Sequence, residues 1–167
     1  RGEGIAVIAV DPRDPNRVWA AGDAVLPLDP ASTQRERAAL LARMRPHALL
    51  DGPEEVPLDD PVPIEDGTAL VIATSGTSGS PKGVVLGHAA LDAAARLTNE
   101  RVGAERGQRW LCCLPLAHIA GLMTVLRSRA LGTDAVFHER FDVEAVRSEA
   151  GAAFVSVVPT MLQRLLE

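Results

Sequence analysis

Short apolar runs recur along this chain, and they constrain its fold more than any other feature. Residues 5–10 (I-A-V-I-A-V), 25–28, 47–50, 68–73 (T-A-L-V-I-A), 84–86, 110–114, 135–137 and 153–158 read as strands. Several are apolar throughout, so they must be covered on both faces. Helical stretches separate most of them. One starts at a capping box, Thr33-Gln34-Arg35-Glu36, and runs to about Arg45 with Leu40, Leu41 and Met44 on its buried face; Pro46 stops it. Others run from His88 to about Arg101, from Ile119 to Leu131 with Gly132 closing it, and from Asp142 to Glu149. Pro159 opens a last helix in its first turn. Residues 13–22 read as turn-rich and then helical. This order predicts an α/β fold, with a mainly parallel sheet and helices on both faces.

Residues 51–67 hold Pro53, Pro57, Pro61 and Pro63 among many acids and read as a solvated connection without chemistry. At 167 residues the chain has the length of one ordinary domain. Aromatic residues are 3% and tyrosine is absent, so Leu, Val and Ala must fill the core. The net charge of −5 and the lack of a basic run argue against nucleic acid as a partner. Cys112 and Cys113 are adjacent in an apolar stretch, which suits small buried hydrophobes in a reduced, cytoplasmic protein and no metal site. No signal peptide is visible in the opening R-G-E-G. The longest uncharged apolar stretch, residues 111–126, is shorter than the ~20 residues of a membrane-spanning helix.

Residues 74–83 read T-S-G-T-S-G-S-P-K-G between two of the strand-like runs. Glycines let backbone N–H groups turn toward an anion, the hydroxyls add donors, and Lys82 adds a point charge. Such a loop suits a polyphosphate. Gly/Ser-rich runs are commonly linkers, but a linker needs neither flanking strands nor an internal Pro-Lys-Gly. The Walker A pattern fails, because Gly76 and Gly79 are too close and Pro81 separates Ser80 from Lys82.

A second stretch, C-L-P-L-A-H-I-A-G at residues 113–121, places His118 between a strand end and a helix start. Ligands of open α/β sheets bind beyond such strand ends. From spacing alone, a histidine satisfied in the core or capping the helix is the plainer reading. Arg127 and Arg129 read as a solvated helix face, and His88 as structural.

Residues 74–83 are similar, at every fixed position, to the phosphate loop T-S-G-[ST]-[ST]-G-x-P-K-G of the adenylate-forming enzymes, which include acyl- and aryl-CoA ligases, luciferases and peptide-synthetase adenylation domains. Residues 114–121 (L-P-L-A-H-I-A-G) resemble that family's L-P-x-x-H-x-x-G motif. Residues 25–30 (V-L-P-L-D-P) resemble a structural strand of the same domain. Val158, Pro159 and Thr160 resemble a helix start that lines the acyl pocket, although a plain helix start fits them equally. The resemblance implies Thr74, Ser75, Gly76, Thr77, Ser78, Gly79 and Lys82 around the β- and γ-phosphates of ATP. It implies Lys82 and His118 as catalytic residues, with His118 between the ATP and acyl pockets. ATP, Mg2+ and coenzyme A are implied as substrates, together with a small-molecule carboxylate. Within the family, the Pro-rich approach to the loop and L-P-L-A-H-I-A-G-L look most like the o-succinylbenzoate–CoA ligases.

The later family motifs for adenine, ribose and carboxylate activation have no counterpart here. The expectation is therefore a partial N-terminal AMP-binding domain spanning residues 1–167, inactive by itself, with apolar surface that favours self-association. Two alternatives stay open. One is an amino-acid-activating domain that loads a carrier protein; the other is a nucleotide-binding module without catalysis.

Overall fold

In the computed structural model, which describes residues 5–9, 24–51, 54–75 and 81–167, with backbone alone at 5–9, 51 and 75, the apolar runs are strands. The chain divides into two compact units, residues 1–90 and 91–167.

The first unit holds β1 (Ile5–Ala9), β2 (Ala24–Leu28), β3 (Ala48–Asp51), β4 (Glu54–Pro57), β5 (Thr68–Ser75) and β6 (Pro81–Gly87), in the sheet order β4-β3-β1-β2-β5-β6. The centre is parallel: β1 pairs with β2 and β3, and β2 with β5. Every residue of β2 is buried, as is β5 from Thr68 to Ile72, so both faces of these strands are covered. Both outer pairs, β3–β4 and β5–β6, are antiparallel. A short connection permits only that sense, because a parallel return needs a long crossover. The mainly parallel expectation thus holds for the centre and fails at the edges.

The residue 51–67 connection also contains structure. Glu54–Pro57 is an exposed edge strand rather than a coil. Pro57 is tolerated there because edge strands leave one row of hydrogen-bonding groups unpaired. Beyond it the chain is clasped to the end of the preceding helix: Arg45 Nε donates to the Asp60 carbonyl at 2.8 Å, and Val62 N donates to the Arg45 carbonyl at 2.9 Å.

That helix, α1 (Gln34–Met44), begins with the predicted capping box. The Glu36 N–H donates to Thr33 Oγ1, and the Thr33 N–H donates to Glu36 Oε2. It ends at Arg45 in the left-handed region, φ 45°, immediately before Pro46, where α geometry is disfavoured. Leu40, with Leu41 and Met44, packs on Leu26, Leu28 and Val71 of the sheet.

The second unit carries a three-stranded parallel sheet of order β8-β7-β9, from β7 (Trp110–Cys112), β8 (Val136–Phe137) and β9 (Phe154–Val155). These strands are shorter than the sequence predicts. α2 (His88–Arg101) precedes them, and α3 (Ile119–Ala130), α4 (Val143–Ser148) and α5 (Pro159–Leu166) alternate with or follow them. α3 is buried continuously from Gly121 to Val125 and closes at Gly132, whose φ is 77°. Asp142 caps α4 by accepting from Ala145 N at 2.9 Å. Val158, the N-cap of α5, and Leu162 and Leu166 on the helix are all exposed at four-residue spacing. The helix read within residues 13–22 lies outside the described residues.

Candidate functional site

The candidate phosphate loop is the tip of the β5–β6 hairpin. Thr74 stands opposite Lys82, and Ser75 opposite Pro81. Strand pairing therefore runs further into the motif than the sequence suggests, leaving residues 76–80 as the connection. Gly76, Thr77, Ser78 and Gly79 lie outside the described residues. Thr74 Oγ1 donates to the Lys82 carbonyl at 3.3 Å, tying the two strands at the mouth of the loop. Lys82 and Thr74 are both exposed.

Side chains alternate across a sheet, so the face of each position follows from one fixed point. Gly83 supplies that point. A methyl there would lie 2.9 Å from both Met44 Sδ and Val71 Cγ1. Gly83 thus faces α1, and its neighbour Lys82, with Thr74 opposite, points to the other face of the sheet. Gly83 sits within a strand, so it serves close packing rather than a turn. β6 is not a buried strand either: Val84 and Val85 are 44% and 56% exposed at the sheet edge. The device is a hairpin arm that carries a cation on the face away from α1 and leads into a hydroxyl- and glycine-rich tip.

The His118 motif is built in the second unit. β7 ends at Cys112, and His118 is the N-cap of α3. Its carbonyl accepts from Gly121 N at 3.1 Å and Leu122 N at 3.2 Å. Its side chain makes no capping bond and is exposed, so the histidine is not satisfied in the core. Gly121 explains the spacing. A methyl on it would lie 2.9 Å from the Leu114 carbonyl oxygen and would overlap the Pro115 carbonyl. Only glycine lets α3 start directly against the Leu114-Pro115 turn, and that start presents His118 outward. Cys112 and Cys113 beneath it are buried and free. Burial pushes both thiols above their ordinary value, as unreactive core residues require.

Val158, Pro159 and Thr160 are exposed at the start of α5, with Val158 as N-cap. His88 is exposed at the first position of α2.

Arg127 departs from the solvated face read for it. Its guanidinium lies 5.0 Å over the ring of buried Trp110, which in turn stacks on Phe154 at 5.0 Å. Nη1 donates to Ser156 Oγ at 2.8 Å, while Nε is buried without a hydrogen-bond partner. No carboxylate pairs with Arg127 among the described residues. Burial pulls its basicity below the ordinary arginine value, yet it remains a cation. A half-buried cation without a counter-ion is costly unless an anion completes it. Sequence reasoning missed this residue. The signal available was an arginine about two and a half turns from His118 on the same helix, but its partners, Trp110 on β7 and Ser156 just after β9, are distant in sequence.

Comparison with known proteins adds the following. A family model described as "AMP-binding enzyme" matches residues 51–167. The chain is 40% identical over 104 residues to the 2-succinylbenzoate–CoA ligase of Enterococcus faecalis, covering 60% of this chain and 21% of that protein. It superposes on an o-succinylbenzoate CoA synthetase of Bacillus subtilis in complex with the acyl-adenylate intermediate OSB-AMP, with a TM-score of 0.80 and 28% identity over 99% of this chain and 52% of that one. A structure of the Bacillus subtilis synthetase in complex with ATP and magnesium ion matches with a TM-score of 0.78 and 28% identity, covering 99% of this chain and 42% of that one. The chain therefore spans only part of the proteins it matches: about a fifth of the curated relative and about half of the superposed structures.

Proposed function

This chain belongs to the AMP-binding enzyme family, and on that premise we propose that it supplies the phosphate-holding hairpin and part of the acyl site of an AMP-forming acid–CoA ligase of the 2-succinylbenzoate class. The observation that carries the reading is the β5–β6 hairpin, with Thr74 and Lys82 paired across the mouth of residues 76–80.

The reaction has two steps. A substrate carboxylate oxygen attacks the α-phosphorus of MgATP; the bond to the bridging oxygen breaks, and pyrophosphate leaves. The thiol of coenzyme A then attacks the acyl carbon and expels AMP, giving the thioester. The chain's part is positioning and charge stabilisation. Lys82, on a flexible stem at an exposed strand end, meets the charge that builds on departing pyrophosphate. The hydroxyls and backbone N–H groups of residues 74–79 hold the β- and γ-phosphates, and magnesium enters with ATP. His118, exposed at the start of α3, stands on the acyl side, with Val158, Pro159 and Thr160 as further contacts. No side chain is assigned as a covalent nucleophile.

Arg127 supports the substrate class. 2-Succinylbenzoate carries two carboxylates, and only one reacts. The other needs a cation in the acyl site, and Arg127 is a half-buried guanidinium lacking an anion among the described residues. No helix among the described residues is long and apolar enough to cross a membrane, and substrates and product are water-soluble.

The test is ATP–pyrophosphate exchange by the full-length gene product. Exchange that depends on 2-succinylbenzoate supports the reading. Exchange driven by an amino acid would indicate the carrier-loading alternative, and ATP binding without exchange would indicate a binding module.

A further inference from the structure

Asn99 is one of few polar side chains in the interior of the second unit, and both ends of its amide are used. Its exposure is 4%. Oδ1 accepts from Trp110 Nε1 at 3.0 Å, and Nδ2 donates to the Arg127 main-chain carbonyl at 2.9 Å. This orientation is unambiguous, since an indole N–H only donates and a carbonyl only accepts. The bond to Arg127 falls in the last turn of α3, where carbonyls lack a partner within the helix; the Leu131 N–H turns to the Ser128 carbonyl instead, and the Asn99 amide takes its place on Arg127. Trp110 is fixed a second time, by its own N–H donating to Ser128 Oγ at 3.0 Å.

We infer that Asn99 is a positioning residue for the substrate's non-reacting carboxylate, acting through Arg127. The inference rests on the assignment of Arg127 made above. One amide fixes both the main chain from which the arginine hangs and the ring over which its guanidinium lies. Ser156 fixes the far end of the same group. A long side chain with many rotamers would otherwise have to be ordered at each binding event, at a cost in affinity. α2 thereby contributes to acyl recognition without touching substrate.

The test uses the full-length ligase and four variants: Asn99→Leu, Asn99→Leu with Trp110→Phe, Arg127→Ala, and Asn99→Leu with Arg127→Ala. The double variant with Trp110→Phe removes donor and acceptor of the indole bond together, which limits the folding penalty. Each is assayed with 2-succinylbenzoate and with an analogue keeping only the reacting carboxylate. Asn99→Leu is expected to raise KM for the dicarboxylate about tenfold, the value of one lost ordering bond, with KM for ATP and for the analogue nearly unchanged. Combined with Arg127→Ala it should add almost nothing further, as for two residues acting as one unit. If Arg127→Ala is selective for the dicarboxylate while Asn99→Leu raises KM for both substrates equally, this inference falls and the Arg127 assignment stands. If Arg127→Ala is itself unselective, the assignment falls and takes the inference with it. Failure to fold of both Asn99 variants that keep Arg127 would also overturn it, by making the amide a structural element alone.

Discussion

Gly121 and Gly83 are both positions where a methyl group collides, but the colliding partners differ, and so do the consequences. At Gly121 the obstacles are the main-chain carbonyls of Leu114 and Pro115. A carbonyl in a tight turn cannot rotate aside, so the start of α3 would have to move and take His118 with it. At Gly83 one obstacle is the thioether end of Met44, which has rotamers to spare, and the other is a methyl of Val71. Gly121→Ala is therefore expected to cost about 3 kcal/mol or more, and Gly83→Ala about 1 kcal/mol. Urea unfolding of the two variants side by side checks the order. Equal costs would mean that the Leu114-Pro115 turn yields more readily than its packing implies.

Among the elements, α1 is the one whose boundaries follow most directly from sequence, and its start carries a pH signature. Glu36 accepts from the Thr33 N–H and the Thr33 hydroxyl, both at 2.8 Å. The backbone bond and then the hydroxyl bond favour the ionised carboxylate, lowering its pKa from the usual glutamate range. For a carboxyl lowered on folding, the stabilisation is present above its unfolded pKa and is lost as pH falls through the lower folded one. Thr33→Ala removes the hydroxyl cap at a cost of about 1 kcal/mol. Melting curves should thus show a wild-type advantage at pH 7 that shrinks by pH 3. An advantage that stays constant over that range would mean that the Thr33 hydroxyl bond to the Glu36 carboxylate contributes nothing. The hairpin β5–β6 has the opposite character. Its strands are legible as apolar runs, but their extension to Ser75 and Pro81 is not, because a glycine- and serine-rich run carries no periodic signal. Ladder pairing with β5 decides it.

At the scale of the whole chain, what could be read in advance was what neighbours in sequence decide. The capping box at Thr33, the stop before Pro46, the closure at Gly132, the helix start at Asp142 and the proline in the first turn at Pro159 are all short-range chemistry. The two motifs at residues 74–83 and 114–121 were equally legible, since their residue types serve a ligand and a helix start locally. Arg127 was not, because its burial depends on Trp110 and Ser156, which only the parallel sheet brings to it. The packing role of Gly83 is hidden for the same reason: Met44 belongs to another element. The parallel centre of the first sheet is legible in runs that are apolar throughout, whereas the antiparallel edges depend on connections too short for a crossover.

The central claim is that the β5–β6 hairpin holds the phosphates while pyrophosphate leaves, and Lys82 is where it is most exposed to test. Lys82 projects from an edge strand into solvent, so truncating it should leave folding within about 0.5 kcal/mol of wild type. A charge-assisted contact made to the departing group contributes about 1.5–3 kcal/mol, equivalent to roughly 10- to 150-fold in rate. The decisive measurement is single-turnover acyl-adenylate formation by Lys82→Ala in the full-length ligase, run beside a melting curve. The account predicts a rate lower by that factor with an unchanged melting temperature. A wild-type rate would contradict it and remove Lys82 from the reaction, and an unfolded variant would mean that the hairpin serves the fold alone.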